Sequence, residues 1–181
     1  MQAIILAGGL GSRLGSIVKN TPKPFLKVNK SPFILRIVER LIAQGIKEII
    51  FCLGYKPQKI INFFGDGSSW GIKFSYVIED RLMGTAGAVR GAYEKIFGSS
   101  IIVLNGDSFC YFDIPSLFEQ HRLNNADATF SVLKTNNPEK YGVVLFDTNM
   151  KVYNFLEKSK DYKNKINYIN AGVYILKKKL I

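Results

Sequence analysis

The chain has 181 residues, the length of one domain with room for a substantial core. With 47% apolar and 22% charged residues it has the balance of an ordinary globular protein, and no apolar run nears the ~18 residues of a membrane span. The formal net charge of +11 suits an anionic partner, but the Lys and Arg residues are dispersed and lack the aromatic interleaving of a nucleic-acid-binding module.

Residues 2–7 form a short apolar run ending in glycines, the signature of a buried strand followed by a tight loop. Residues 32–44 show helical spacing, with Phe33, Ile34, Ile37, Val38, Leu41 and Ile42 on one face and Arg36, Glu39 and Arg40 opposite. Ser31 is expected as the N-cap, Pro32 at the first helical position and Gly45 as the stop. A second strand spans 48–53, a short helix 57–64, and the turn-rich Gly65-Asp66-Gly67-Ser68-Ser69 precedes a third strand at 72–78. Next come a helix over 85–97 and a β-branched strand over 100–104, which runs into Asn105-Gly106-Asp107. A helix at 115–123 and a strand at 128–132 follow; His121 on that helix is expected at the surface, and Trp70 is expected to pack.

From residue 135 onward the pattern changes to short strands without helices, at 142–146, 152–157 and 171–176. The alternation before that point predicts parallel βαβ crossovers, hence an α/β fold with a doubly wound, mostly parallel, Rossmann-like sheet flanked by helices. Ligands in such sheets bind at the carboxyl ends of the strands, where residues 8–13 and 105–107 fall. Residues 1–7 lack the basic region of a secretory signal and their apolar stretch is short for one, and Cys52 and Cys110 have no metal or redox spacing, so a cytoplasmic, reduced protein is expected.

Five motifs carry chemistry. In Leu6-Ala7-Gly8-Gly9-Leu10-Gly11-Ser12-Arg13-Leu14, glycines after a buried strand let backbone N–H groups approach phosphate oxygens, and Arg13 adds a charged fork. It is not a Walker A loop, which ends in Gly-Lys-Ser/Thr, nor a dinucleotide fingerprint, which needs a glycine where Leu14 stands. Thr21-Pro22-Lys23-Pro24 is expected to hold its backbone extended and stiff, presenting a cation to a transferring phosphoryl group, although in isolation it also reads as an ordinary proline loop. Asp107 in Asn105-Gly106-Asp107 has the hard oxygens that Mg²⁺ prefers, although Asn-Gly-Asp is also ordinary turn chemistry. Gly84-Thr85-Ala86-Gly87-Ala88 opens a predicted helix with residues small enough for a base or ribose to lie against the backbone, or for tight helix packing. Glu157-Lys158 and Asn170-Ala171-Gly172-Val173-Tyr174 place polar groups at strand ends, suited to sugar hydroxyls and a sugar phosphate or to plain strand alternation.

The order of these motifs across residues 2–176 resembles the sugar-1-phosphate nucleotidylyltransferase family. The resemblance implies the nucleotide-diphospho-sugar transferase type of fold, one nucleotidylyltransferase domain over residues 1–181, and Mg²⁺ as cofactor. It assigns Leu6, Ala7, Gly8, Gly9, Gly11, Ser12, Arg13, Gly84 and Thr85 to the nucleotide, with Arg13, Lys23 and Asp107 catalytic and Asp107 binding the metal. Glu157, Lys158, Asn170 and Gly172 would meet the sugar phosphate. The family supplies a second metal carboxylate from a later segment, so a C-terminal part is expected to be missing after Ile181.

Gly84-Thr85-Ala86-Gly87-Ala88 looks like the guanylyltransferases. Residues 16–21, Tyr55-Lys56 and Phe64-Gly65-Asp66-Gly67-Ser68 are similar to D-glycero-D-manno-heptose 1-phosphate guanylyltransferases. Mannose 1-phosphate is the second sugar, and a catalytically inactive nucleotide sensor is the rival class. The implied partners are a nucleoside triphosphate, GTP first, and a sugar 1-phosphate; no nucleic acid or membrane partner is expected, and a homodimer stays open.

Overall fold

The computed structural model describes residues 1–9, 11, 20–81, 83–138, 141–156 and 167–181. These form two compact units, Met1–Thr129 with Tyr174–Ile181, and Phe130–Val173. No helix among the described residues is long and apolar enough to cross a membrane.

The first unit is built on β1 (Gln2–Ala7), β4 (Glu48–Leu53), β5 (Lys73–Ile78) and β6 (Ser100–Asn105), arranged β5-β4-β1-β6. All three pairings are parallel, with Ile4 opposite Ile50 and Val103 and Ile50 opposite Ser75. Their connections contain α1 (Phe33–Ala43), α2 (Gln58–Phe64) and α3 (Gly84–Gly91); α4 (Ile114–Leu123) follows β6. Successive side chains on a strand point to opposite faces, and β4 shows what covers each. Cys52 joins Ile4, Ile50 and Val103 in a core with Ala88 and Val89 of α3, and its thiol donates to the Ala88 carbonyl at 3.3 Å. Phe51, one residue earlier, stacks on Phe64 of α2 (ring centroids 5.1 Å apart) and meets Phe74 and Tyr76 of β5. Helices therefore lie on both faces, as doubly wound sheets require. Trp70 packs beside Phe64 and Phe74, as expected.

Four expectations change. Ser31 is no N-cap: Ser31–Pro32 (β3) pairs with Lys27–Val28 (β2) across a turn whose Asn29 and Lys30 are both left-handed (φ 52° and 72°). The first free amide of α1, at Phe33, is instead satisfied by the Leu26 carbonyl at 2.8 Å, so a serine cap has nothing to add. The backbone about Lys23 is extended at Pro22 (ψ 142°) and again at Leu26 (ψ 140°), but Lys23–Phe25 form one 3₁₀ turn, closed by the Phe25 amide on the Pro22 carbonyl at 2.8 Å. His121 is buried rather than exposed, its Nδ1 lying 2.9 Å from the Thr129 hydroxyl and its Nε2 3.4 Å from that of Ser100. The predicted helix over 85–97 is also shorter, ending at Gly91 with a separate 3₁₀ turn at Tyr93–Lys95.

The second unit contains the antiparallel pair β8 (Val143–Phe146) and β9 (Val152–Leu156). Their turn is held by Asp147, whose carboxylate accepts from the Asn149 and Lys151 amides, each at 2.9 Å. In this unit β10 (Asn167–Lys177) pairs antiparallel with β8 through Ile169 and Val143. Its last residues, from Tyr174, belong to the first unit, where Tyr174 and Leu176 pack on the α3 core. β7 (Ala128–Thr135) likewise starts in the first unit and runs into the second.

Candidate active site

The strand order decides where a ligand can sit. From β1 the chain moves outward to β4 and β5, then returns to the opposite side of β1 for β6. The crevice at the carboxyl ends of β1 and β6 is thus the switch point of the sheet, the position at which doubly wound folds bind ligands. A cavity of about 650 Å³ opens there.

Glycines make that crevice possible. The Gly106 amide donates to the Leu6 carbonyl at 2.8 Å, and a Cβ on Gly106 would sit 2.8 Å from the same oxygen. Gly54, after β4, passes Gly8 so closely that a Cβ there would lie 2.6 Å from the Gly8 carbonyl oxygen. Gly9 has open space where its side chain would be. Among the described residues, Gly8 is therefore pressed against a neighbouring strand end while Gly9 meets open space, the arrangement by which backbone amides come close to an anion.

Leu6, Ala7, Gly8, Gly9 and Gly11 line the cavity from the β1 side, and Gly84 and Thr85 line it from the start of α3. Lys23 and Asp107 meet within it, Lys23 Nζ lying 2.5 Å from Asp107 Oδ2. The two side chains keep 38% and 40% of their surface exposed, so the pair faces the cavity and solvent rather than the core. The Ser108 hydroxyl donates to the other Asp107 oxygen at 3.2 Å. Nine expected positions thus come together in one place. Ser12, Arg13, Glu157 and Lys158 lie outside the described residues. Asn170 and Gly172 are on β10 in the second unit, where Asn170 Oδ1 accepts from the Gly172 amide at 2.9 Å and Gly172 has a left-handed φ of 77°.

Two features, one in the cavity lining and one packed against Gly8, escape the sequence reading. Glu79 follows β5 directly, and its carboxylate occupies the place where a Gly8 side chain would be, while its other oxygen accepts from the Met83 amide at 3.3 Å. Gly54 is the second. Both sit immediately after a parallel strand, the signal by which Asp107 was found, but Glu79 follows a strand of mixed burial that reads as a solvated end. The Glu79 charge also acts on Cys52, whose thiol is pushed up to about 12, first by burial and then by that carboxylate. Cys52 is thus a packing thiol and no nucleophile.

No cluster of three or more His, Cys, Asp or Glu side chains exists among the described residues, so no all-protein metal cage is formed by them. The partly exposed Asp107 carboxylate, in the same cavity as the glycine loop, suits Mg²⁺, which keeps its waters and binds through one or two carboxylates together with substrate phosphates.

The comparisons with known proteins agree with this fold. The family described as "Nucleotidyl transferase" matches residues 2–181. Mannose-1-phosphate guanylyltransferase from Mycobacterium tuberculosis is 34% identical over the whole chain, which covers 50% of that protein. D-glycero-alpha-D-manno-heptose 1-phosphate guanylyltransferase from Campylobacter jejuni is 40% identical over 98% of the chain, which covers 76% of that protein. Among solved structures, HddC from Yersinia pseudotuberculosis complexed with GMP-PN superposes with a TM-score of 0.87 at 34% identity, over 99% of this chain and 78% of its own. The chain thus spans half the length of the mannose relative and about three quarters of the heptose relative.

Proposed function

From the premise that this chain belongs to the nucleotidyl transferase family, we propose that it transfers GMP from GTP to D-glycero-D-manno-heptose 1-phosphate, releasing pyrophosphate. The observation that carries this reading is the meeting of the glycine loop, Lys23 and Asp107 at the switch point between β1 and β6. The heptose is preferred because relatives with that activity are 38–40% identical and are covered over 75–76% of their length. Mannose 1-phosphate is the second reading, supported by a relative that aligns with the entire chain.

The chemistry needs position and charge rather than a base. A sugar-phosphate oxygen is largely ionised at neutral pH, since the second phosphate pKa is about 6. It attacks the α-phosphorus in line; the new O–P bond forms as the bond to the bridging oxygen of pyrophosphate breaks. Lys23 moves from the Asp107 carboxylate to the α-phosphate oxygens and offsets the charge that develops there. Asp107, relieved of that ammonium, is the ligand assigned to Mg²⁺, which supplies further neutralisation of phosphate charge when bound. The amides of Gly8, Gly9 and Gly11 cradle the triphosphate, and Gly84 and Thr85 border the nucleoside. Glu79 is assigned to the base: a carboxylate only accepts hydrogen bonds, and the Watson–Crick edge of guanine presents two adjacent donors.

Ser12 and Arg13 are assigned to the triphosphate and Glu157, Lys158, Asn170 and Gly172 to the sugar phosphate on their sequence pattern. The cytoplasm suits both the nucleotide substrate and two buried cysteines held outside any disulfide.

The test is a matrix of GTP, ATP, UTP and dTTP against heptose, mannose and glucose 1-phosphates with Mg²⁺, read as pyrophosphate release and melting temperature. GTP with the heptose phosphate is expected to give the fastest release, and GTP the largest thermal shift. Release by no pair would sink the enzyme reading; thermal shifts without release would favour a nucleotide sensor.

A further inference from the structure

Lys23 must hold its ammonium at the cavity, yet the flanking prolines alone do not fix it. Pro22 and Pro24 are buried, and Lys23 occupies a single 3₁₀ turn on the outside of the sheet. Three contacts grip that turn from one side. Lys56 Nζ donates to Asn20 Oδ1 at 3.0 Å, and Lys59 Nζ donates to Thr21 Oγ1 at 3.1 Å. The Phe63 ring meets Phe25 edge to face, with centroids 5.3 Å apart and planes at 80°.

The spacing is informative. Lys59 and Phe63 stand four residues apart on one face of α2, and Lys56, two residues before that helix, reaches the same segment, residues 20–25. The gripped residues bracket Lys23 on both sides, two before it and one after. None of the three gripping side chains lines the cavity. Exposed polar contacts of this kind contribute little to global stability, and Lys56 also takes a left-handed φ of 48°, which a non-glycine residue adopts at a cost. A small stabilising return and a strained backbone are understandable if the contacts fix a neighbour in place.

We propose that Lys56, Lys59 and Phe63 are positioning residues that hold the 3₁₀ turn and so aim Lys23 at the reacting phosphate. This rests on the nucleotidyl-transfer reading for its kinetic consequence, but not for its structural one. The clamp acts through Lys23 and makes no contact with substrate. Loosening it misplaces the ammonium in the transition state while leaving the amide cradle of the glycine loop intact.

The experiment uses the whole chain carrying Lys56→Met with Lys59→Met, exposed changes that keep the side-chain stems, and separately Thr21→Val, which removes an acceptor from the other side. Hydrogen exchange is read at the Phe25 and Leu26 amides, which close the turn on Pro22 and Lys23. Exchange there is expected to quicken by about tenfold or more, with amides of β4 unchanged. Turnover is expected to fall by about tenfold at unchanged KM for GTP, and by less than about twofold when Lys23→Ala is already present.

Unchanged exchange overturns the clamp, whatever the turnover. A raised KM at unchanged kcat overturns it in favour of direct phosphate contact by Lys56 or Lys59, and so does an undiminished effect in the Lys23→Ala background. Quickened exchange in a protein whose parent shows no turnover supports the clamp and counts against the proposed activity, so the two ideas fail separately.

Discussion

The parallel strands of the first unit and the antiparallel pair of the second differ in how many faces they bury. In β4, every residue from Ile49 to Leu53 is fully buried, with α3 packing against one face and α2 against the other. In β9, Tyr153, Asn154 and Phe155 all remain exposed, Tyr153 at 68%. A strand packed on both faces cannot shift without opening a cavity on one side or a clash on the other. The loop at its end inherits that rigidity. Phosphoryl transfer depends on position above all, so ends of doubly covered strands are where its groups are most usefully held, and β1 and β6 supply such ends.

The largest expected effect tests the chemistry of the rigid region. Lys23→Ala should lower kcat/KM about 10²–10³-fold, the scale for removing one charge-stabilising donor, with an unchanged melting temperature; an undiminished rate would show that the Lys23–Asp107 pair is only structural. Next comes the contrast in packing itself. Ile50→Ala should cost about 3 kcal/mol in urea unfolding, whereas Tyr153→Ala on the open pair should stay within about 0.5 kcal/mol; comparable losses would erase the distinction between the units.

A smaller change is expected at the base. Glu79→Gln replaces one acceptor with a donor and should reduce the preference for GTP over ATP about tenfold in competing-substrate assays, while an unchanged ratio would remove Glu79 from base recognition. The smallest effect is on pH dependence. Burial, and then the charge of Lys177, hold His121 below its ordinary value of 6.5. The unfolded chain then binds a proton that the fold refuses, so stability is complete above pH 6.5 and is lost as pH falls through the folded value. Melting temperatures should decline on that acid side, and His121→Gln should flatten the decline; equal slopes in the two proteins would show that His121 contributes none of it.

Much of the fold is readable from particular segments. Strands buried on both faces appear as near-continuous apolar runs, which is why 2–7, 48–53 and 100–104 stand out. The glycine loop and Asp107 follow such runs directly, so their placement at strand ends is legible too. Glu79 is not, because β5 mixes buried and exposed positions and its acidic end looks solvated. Only when β5 and β1 flank β4, with Gly54 between them lacking a side chain, does the carboxylate reach Gly8. The Ser31 cap fails for a related reason: the Leu26 carbonyl reaches the Phe33 amide first, through a two-residue hairpin that has no apolar periodicity to announce it. His121 looked exposed among polar neighbours, yet its partners Ser100 and Thr129 lie on strands that local pattern cannot bring together.

By itself, the sequence determined the alternation of strands and helices, the loop where backbone can approach a phosphate, and the ordered motifs that mark the family. These are local properties: periodicity, glycine content and proline restraint act within a few residues. Tertiary structure decided that β1 lies between β4 and β6, that Lys23 meets a carboxylate 84 residues away, and that α2 grips the turn carrying that lysine. Such facts depend on strand order and register, which are set by long-range burial and backbone pairing and so leave no trace in any single stretch of chain.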